Sequence, residues 1–329
     1  MAVLVTGGAG YIGSHMVWAL LDQGEEVVVL DRLSTGFDWA VAEAATLVVG
    51  DVADRNLVKE TIRKHEVDAI IHFAGSVIVP ESVADPLGYY LNNTAKSRDL
   101  IDVAIGNGVK NFIFSSTAAV YGSPETFPVM EEAPLRPESP YGTSKLMTEM
   151  MLRDCAAAHD FRYTALRYFN VSGADPKLRT GQSTKGATHL IKVACETATG
   201  KRPYMEVFGT DYATRDGTCV RDYVHVWDLV NAHYLALQRM RDGGGSLVAN
   251  CGYGQGYSVL EVIEAVRRVA GTDFEVRMSG RRPGDTVAIV ASNERCRYDL
   301  GWQPKHQGLE EIVGHALGWE AKLARRNRQ

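Results

Sequence analysis

Cysteine is scarce and scattered in this chain: Cys155, Cys195, Cys219, Cys251 and Cys296 make an odd set with no CxxC pair. That excludes a disulfide framework and a cysteine-built zinc site, and no metal is expected. It favours reduced thiols in a reducing compartment. No apolar run approaches the roughly 18 residues of a spanning helix, so no membrane segment is expected. There is no excess of positive charge either: 35 Lys and Arg face 40 Asp and Glu, a net of −5. This argues against a generic nucleic-acid or anionic-membrane binder, while local basic residues stay free to hold a small anion. Internal repeats, heptads and low-complexity tracts are all lacking. The first apolar stretch starts at Val3, which leaves no room for a signal peptide ahead of it, and a cytoplasmic protein is expected.

What is present is an alternation of strands and helices, organised around Val3-Leu4-Val5-Thr6-Gly7-Gly8-Ala9-Gly10-Tyr11-Ile12-Gly13. An apolar strand runs into a glycine cluster, and a helical pattern follows through Leu21. Gly7, Gly10 and Gly13 suit a tight turn, close approach to a pyrophosphate, and helix–strand packing. A lone glycine triad can also be a mere turn. Here a second strand, Val27 to Leu30, ends in Asp31, whose carboxylate suits the ribose hydroxyls of NAD. The pair predicts a dinucleotide-binding domain.

Further strands are expected at 46–49, 69–73, 111–117 and 163–168. Helices are expected from Asp54 to about His65, from about Leu87 to Ile105, and from Tyr141 towards Ala158. Continuous apolar strands between amphipathic helices imply a doubly wound parallel sheet of Rossmann type, covered on both faces. Ligands bind beyond the carboxyl ends of such strands, where Gly7, Asp31, Asp51, Gly75, Thr117 and Asn170 all fall. Residues 1–170 are read as the dinucleotide-binding domain, with a return of the chain at about 220–245. Residues 171–329 are read as a smaller, mixed α/β substrate-binding region. Within it, 172–187 is expected to be a flexible loop. Helices are expected near 188–199 and 258–270, and short strands near 205–208 and 274–278.

The chemistry centres on Tyr141-Gly142-Thr143-Ser144-Lys145, which puts Tyr141 and Lys145 on one helical face behind a Ser139-Pro140 start. A phenol titrates near 10, so as a base at neutral pH it needs cationic help from an ammonium and an oxidised nicotinamide. Lowering its pKa by about three units asks for about 4 kcal/mol. The plain alternative is an incidental surface pair. Thr117, at a strand end on the ligand edge, can bridge a substrate oxygen and Tyr141, although threonine is common at strand ends.

These stretches resemble the extended short-chain dehydrogenase/reductase family and, more narrowly, its nucleotide-sugar 4-epimerases. The resemblance runs almost end to end. It includes His72–Gly75, Glu81-Ser82-Val83, Asn92-Asn93-Thr94, Phe114–Gly122, Arg167–Asn170, Val220–Val226 and Arg282-Pro283-Gly284-Asp285. It implies NAD as cofactor and reversible epimerisation at C4 of a UDP-hexose, UDP-galactose to UDP-glucose, through a transient 4-keto sugar. Tyr141 is the implied acid and base, tuned by Lys145 and assisted by Thr117. Cofactor contacts carry over to Gly7, Gly10, Tyr11, Ile12, Gly13, Asp31, Asp51, Val52, Phe73, Ala74, Gly75, Asn92, Tyr141, Lys145 and Tyr168. Substrate contacts carry over to Thr117, Asn170, His189, Phe208, Arg221, Arg282 and Asp285. Guanidinium forks suit a diphosphate, but Arg221 and Arg282 could instead form salt bridges with Asp222 or Asp285. The family also implies a homodimer, paired through the helices at about 88–105 and 142–158.

Several positions depart from the family's pattern. Arg32 follows Asp31, where it could meet a 2′-phosphate that Asp31 would repel. Ser76-Val77-Ile78 offers no cofactor-contacting lysine after Gly75. His189 replaces an asparagine. Ile289 stands where small residues admit N-acetylated sugars, so UDP-N-acetylglucosamine is expected to be a poor substrate. Other readings stay open: a 4-epimerase of another UDP-sugar (xylose/arabinose, glucuronate or N-acetylglucosamine), or a non-catalytic NAD-sensing protein. A 4,6-dehydratase is disfavoured, because Ala118-Ala119 rather than an acid follow Thr117.

Overall fold

The computed structural model describes residues 1–282 and 285–326. Thirteen strands are found among them: β1 (Ala2–Thr6), β2 (Glu26–Asp31), β3 (Thr46–Val49), β4 (Val67–His72), β5 (Asn111–Thr117), β6 (Arg162–Tyr168), β7 (Asn170–Ser172), β8 (Met205–Phe208), β9 (Val220–His225), β10 (Leu247–Cys251), β11 (Gly256–Ser258), β12 (Val276–Ser279) and β13 (Ala288–Ile289). The helices are α1 (Tyr11–Asp22), α2 (Arg55–Lys64), α3 (Val79–Ala84), α4 (Pro86–Tyr89), α5 (Lys96–Gly106), α6 (Pro140–Ala158), α7 (Leu190–Ala198), α8 (Val226–Arg241), α9 (Val259–Ala270), α10 (Glu294–Asp299) and α11 (Leu309–Arg326).

Seven parallel strands form the main sheet in the order β10-β6-β5-β4-β1-β2-β3. The fold is therefore a Rossmann-type α/β sheet, and the strand order reverses between β1 and β4. On one face Val3, Val5, Ile71 and Leu166 pack against Met16 and Leu20 of α1 and Leu229, Val230 and Ala236 of α8. On the other, Leu4, Val28, Ile70 and Phe112 pack against Val58, Leu100 and Leu152 from α2, α5 and α6. Alternate residues of each strand feed opposite cores, as the period of two requires.

The smaller region has its own core, in which Ile191, Val262, Val266 and Ile312 from α7, α9 and α11 meet Met205 and Val207 of β8. Strand β9 pairs with β7, β11 and β13, so it lies in a second sheet. The chain's return to the main sheet is made by α8 and β10 instead.

Two local features differ from the expectations. The helix expected from Leu87 to Ile105 is interrupted by a π-helical turn, Tyr90–Ala95, between α4 and α5. The stretch 172–187, expected as a flexible loop, is in large part packed. Ala174, Asp175 and Thr180 are fully buried. Arg179 pairs with both Asp175 and Asp22 and lies between the rings of Trp18 and Trp227. Polar composition marks this segment as loop, but its carboxylate and hydroxyl groups find partners inside the protein.

Helix α6 is fixed by a buried ion pair. Arg167 of β6 donates from Nη2 to Glu149 at 2.6 Å and from Nε at 3.0 Å. Ser116 of β5 donates to the same carboxylate. Arg167 also reaches the Tyr121 hydroxyl and the Glu131 carbonyl. Removing one partner of a buried pair strands the other charge, at a cost of about 3–5 kcal/mol. Glu149→Ala is expected to lower unfolding stability by about that amount, with Glu149→Gln closer to the parent; denaturant titration of both variants checks this.

Candidate active site

At the switch point between β1 and β4 the glycine turn is tightly packed. Gly7 has φ +71°, and a Cβ on it would lie 2.7 Å from Ala74 N. A Cβ on Gly13 would lie 2.1 Å from Gly7 O, so α1 can approach only a glycine. Gly10, by contrast, has a single neighbour within 4 Å of its Cβ position, and it caps α1 with no side-chain hydrogen bond. No acidic residue stands in the first turn. The N–H groups that open α1 are thus available to a diphosphate. Tyr11 uses its hydroxyl to hold Gly173 O at 2.7 Å, which leaves its backbone for that role. Ile12 is half-buried against the core behind it.

Asp31 accepts Ala9 N at 3.0 Å on one oxygen and Leu33 N at 2.8 Å on the other. Each oxygen retains a lone pair for a ribose hydroxyl. Arg32 is directed away from that role: it lies 3.7 Å from Asp51 and donates to Ser34. Burial raises the Asp51 pKa, but the Lys96 hydrogen bond and the nearby charges outweigh it and hold the carboxyl below its usual range. Val52 is buried beside it, and the Phe73 ring lies 4.9 Å from that of His233. This edge of the sheet therefore has donors at the glycine turn and acceptors at Asp31 and Asp51.

At the end of β5, Thr117, Tyr141 and Lys145 are all buried. Ser139 caps α6 by accepting Gly142 N at 3.2 Å, with Pro140 in the first turn. Burial pushes the Tyr141 phenol above its ordinary pKa, and the nearby Thr117 hydroxyl offsets part of that rise. Lys145 donates to Ser115 O at 2.9 Å and lies 5.0 Å from the Phe114 ring centroid. Burial pulls its pKa down to about 8. The protein alone thus favours a neutral phenol, so the lowered pKa expected of Tyr141 needs a further cation in the crevice. Tyr168 is hydrogen-bonded through its hydroxyl to Ser115 Oγ, and burial raises its pKa too.

Asn92 donates to Ser76 Oγ at 2.9 Å. Its neighbour Asn93, to which no role was given from sequence, is the better connected of the two. Asn93 accepts Ser76 N at 2.7 Å, donates to Ser76 O and Ser144 Oγ, and lies 3.0 Å from where a Gly75 Cβ would be. The π-helical turn decides which of two adjacent amides points inward; the pair of letters does not.

A second group gathers in the smaller region. Arg282 lies over the Phe208 ring, 4.5 Å from its centroid, and pairs with Asp285 at 3.1 Å. Pro283 and Gly284 lie outside the described residues. Arg221 donates to Val220 O at 3.0 Å rather than to Asp222. Asp222 turns inward, accepting the N–H groups of Tyr253, Gly254 and Ala291. Burial raises its pKa to about 6. Asn170 opens β7 beside Tyr223, and Ile289 pairs in register with Arg221. His189 is open to solvent yet ringed by protein, bonds to Gln182 at 2.8 Å, and has its pKa lowered by that surrounding mass. Among the described residues no hydrogen bond or ion pair joins the Phe208–Arg282–Asp285 group to the Tyr141 group.

A glycine turn at the switch point of a Rossmann-type sheet, with a buried Thr–Tyr–Lys set at the strand ends, defines a nucleotide-cofactor enzyme of the short-chain dehydrogenase/reductase type. The chain belongs to the NAD dependent epimerase/dehydratase family, whose model matches residues 3–252. It is 56% identical over 321 residues to a UDP-glucose 4-epimerase of Azospirillum brasilense, covering 98% of this chain and 92% of the relative. It is similar to the crystal structure of UDP-glucose 4-epimerase from Brucella ovis in complex with NAD, at 43% identity and TM-score 0.94, covering 96% and 97% of the two chains. A UDP-glucose 4-epimerase structure from Stenotrophomonas maltophila, with bound NAD and formylated UDP-arabinopyranose, matches at 38% identity and TM-score 0.95, covering 99% of each chain.

The buried lysine carries a stability cost. Its folded pKa, about 8, lies below the ordinary lysine value of 10.5, so burying the ammonium is unfavourable below pH 8. As pH rises from about 8 to 10.5 the folded form loses its proton first, and the penalty disappears. Lys145→Met is expected to stabilise the cofactor-free protein by about 2 kcal/mol at pH 7. The gain should shrink through that alkaline window, as chemical denaturation at several pH values measures.

Proposed function

We propose that this chain interconverts UDP-galactose and UDP-glucose by NAD-dependent epimerisation at C4. The observation that carries the reading is the joint burial of Thr117 at the end of β5 with Tyr141 and Lys145 one helical turn apart on α6, with Lys145 tied to Ser115 O at 2.9 Å and close to Gly75. When bound, NAD supplies a reversible hydride acceptor for the sugar's C4 and a positive nicotinamide.

Tyr141 takes the proton from the sugar O4 and later returns it, with Thr117 bridging the two oxygens. Lys145, tied to Ser115 O, keeps a positive charge near the phenol and orients the cofactor's ribose. Shifting the phenol towards neutral pH takes about 1.4 kcal/mol for each pKa unit, which is within reach of two cations in a shielded site. The 4-keto sugar must show both faces to the same acceptor. That favours gripping the nucleotide and leaving the sugar free to turn. Phe208, Arg282 and Asp285 suit the uridine end, Arg221, Arg282 and His189 the diphosphate, and Asn170 the sugar and diphosphate. Gly7, Gly10, Tyr11, Ile12, Gly13, Asp31, Asp51, Val52, Phe73, Ala74, Gly75, Asn92 and Tyr168 hold the dinucleotide. These roles divide the chain as 1–170 for cofactor, joined by α8 and β10, and 171–329 for substrate.

Two wider readings accompany this one. A homodimer suits α4 to α6, where Leu87, Leu91, Met147 and Met150 are exposed apolar residues; sedimentation of the pure protein tests it. A cytoplasmic setting suits five cysteines that are all free. Among the described residues no helix is long and apolar enough to cross a membrane.

Purified protein incubated with UDP-galactose is expected to give an equilibrium mixture with UDP-glucose and no accumulating NADH, read by chromatography or NMR. Tyr141→Phe should lower kcat by at least about a thousandfold while NAD stays bound. A variant with undiminished turnover, or parent protein inert even with added NAD, would overturn the assignment. Ile289 is buried with Ala118, Val129 and Phe169, which narrows the space beside the sugar. UDP-N-acetylglucosamine should therefore turn over poorly, and Ile289→Cys should improve it. Equal turnover of both sugars by the parent would refute this account of selectivity.

A further inference from the structure

Apart from this site, histidines from three places in the fold meet beside the first turns of α11. His225 stands at the start of α8, His306 lies in the loop before α11, and His315 is one turn beyond Glu311 on α11. The ring centroids are 4.7 to 5.7 Å apart. One nitrogen of His306, one of His315 and a carboxylate oxygen of Glu311 all lie within 4.8 Å of one another. We propose that His306, Glu311 and His315 bind a divalent transition-metal ion of the Zn2+, Co2+ or Ni2+ class, with the remaining coordination positions open to water.

Two observations carry this. The first is donor chemistry: two imidazoles and one carboxylate, with no thiolate, match borderline transition ions and suit Mg2+ or Ca2+ poorly. The second is preorganisation. His306 donates its backbone N–H to Asp228 at 2.8 Å, and its carbonyl accepts the Tyr253 hydroxyl at 3.0 Å. Glu311 and His315 are i and i+4 on an 18-residue helix, so their side chains share one face. His306 Nδ1 already stands 2.7 Å from Glu311 Oε1.

Proton positions define which residues take part. His225 Nδ1 accepts the Trp227 N–H at 3.0 Å, so its own proton is on Nε2 and points at His315 Nδ1, 2.9 Å away. His225 is therefore a neighbour and not a ligand while it caps α8. His315 in turn carries its proton on Nε2 and offers its lone pair to His225. An entering ion must displace the His225–His315 hydrogen bond. The site is consequently expected to bind with moderate affinity, reversibly, and without being needed for folding.

The test uses untagged, chelator-treated full-length protein, titrated with Co2+ and with Ni2+ by calorimetry and visible absorption. One ion per chain is expected, with Co2+ d–d bands and no thiolate charge-transfer band. Glu311→Ala, at an exposed position that should not disturb the fold, and His315→Ala should each weaken binding at least tenfold; His306→Ala is a third check. Absence of saturable binding overturns the proposal. So does equal affinity in Glu311→Ala and the parent, or a thiolate band placing the ion on a cysteine.

Discussion

The placement of the chemistry depends on the buried pair between Glu149 and Arg167. It joins α6 to β6 directly and to β5 through Ser116. Lys145 and Tyr141 lie one and two turns further up the same helix, and Thr117 follows Ser116 in the strand. A single charge-assisted contact thus sets the helix's rotation and height against the strand ends. Lys145 then adds its own bond to Ser115 O from the next turn. Because the pair is desolvated, either half alone would be unfavourable, which makes the arrangement specific as well as stable.

Burial disfavours charge on both buried groups, raising the Tyr141 phenol and lowering the Lys145 ammonium. A cation beside the phenol would shift it the other way, towards the phenolate. On the adenosine side, Arg32 is occupied by Asp51, and Asp31 keeps its acceptors free, which together suit ribose hydroxyls better than a phosphate.

In the smaller region an aromatic ring, a guanidinium and a carboxylate lie together. Arg282 stacks on Phe208 and pairs with Asp285, a contact that can be exchanged for a nucleotide because it is partly exposed. Arg221 has no such carboxylate contact in this structure, since Asp222 is committed to three backbone N–H groups. The packed loop 172–187 connects the two halves. Tyr11 of α1 reaches Gly173, and Ser14 reaches Thr180, so α1 and the loop share hydrogen bonds.

The sequence by itself determined the alternation of strands and helices, the glycine turn, Asp31 at the end of β2, and the Tyr141/Lys145 spacing. Each of these is a local pattern, set by periodicity, backbone freedom or helical pitch over a few residues. Tertiary structure decided the rest. The allocation of β9 to the second sheet depends on partners at β7, β11 and β13, far away in the chain. The π-helical turn decided that Asn93 rather than Asn92 holds the Gly75 loop. Burial, which depends on all the neighbours together, set the direction of the Tyr141 and Lys145 pKa shifts against the simple expectation. The histidine cluster brings His225 to His306 and His315 across most of the last hundred residues, and no spacing rule could have announced it.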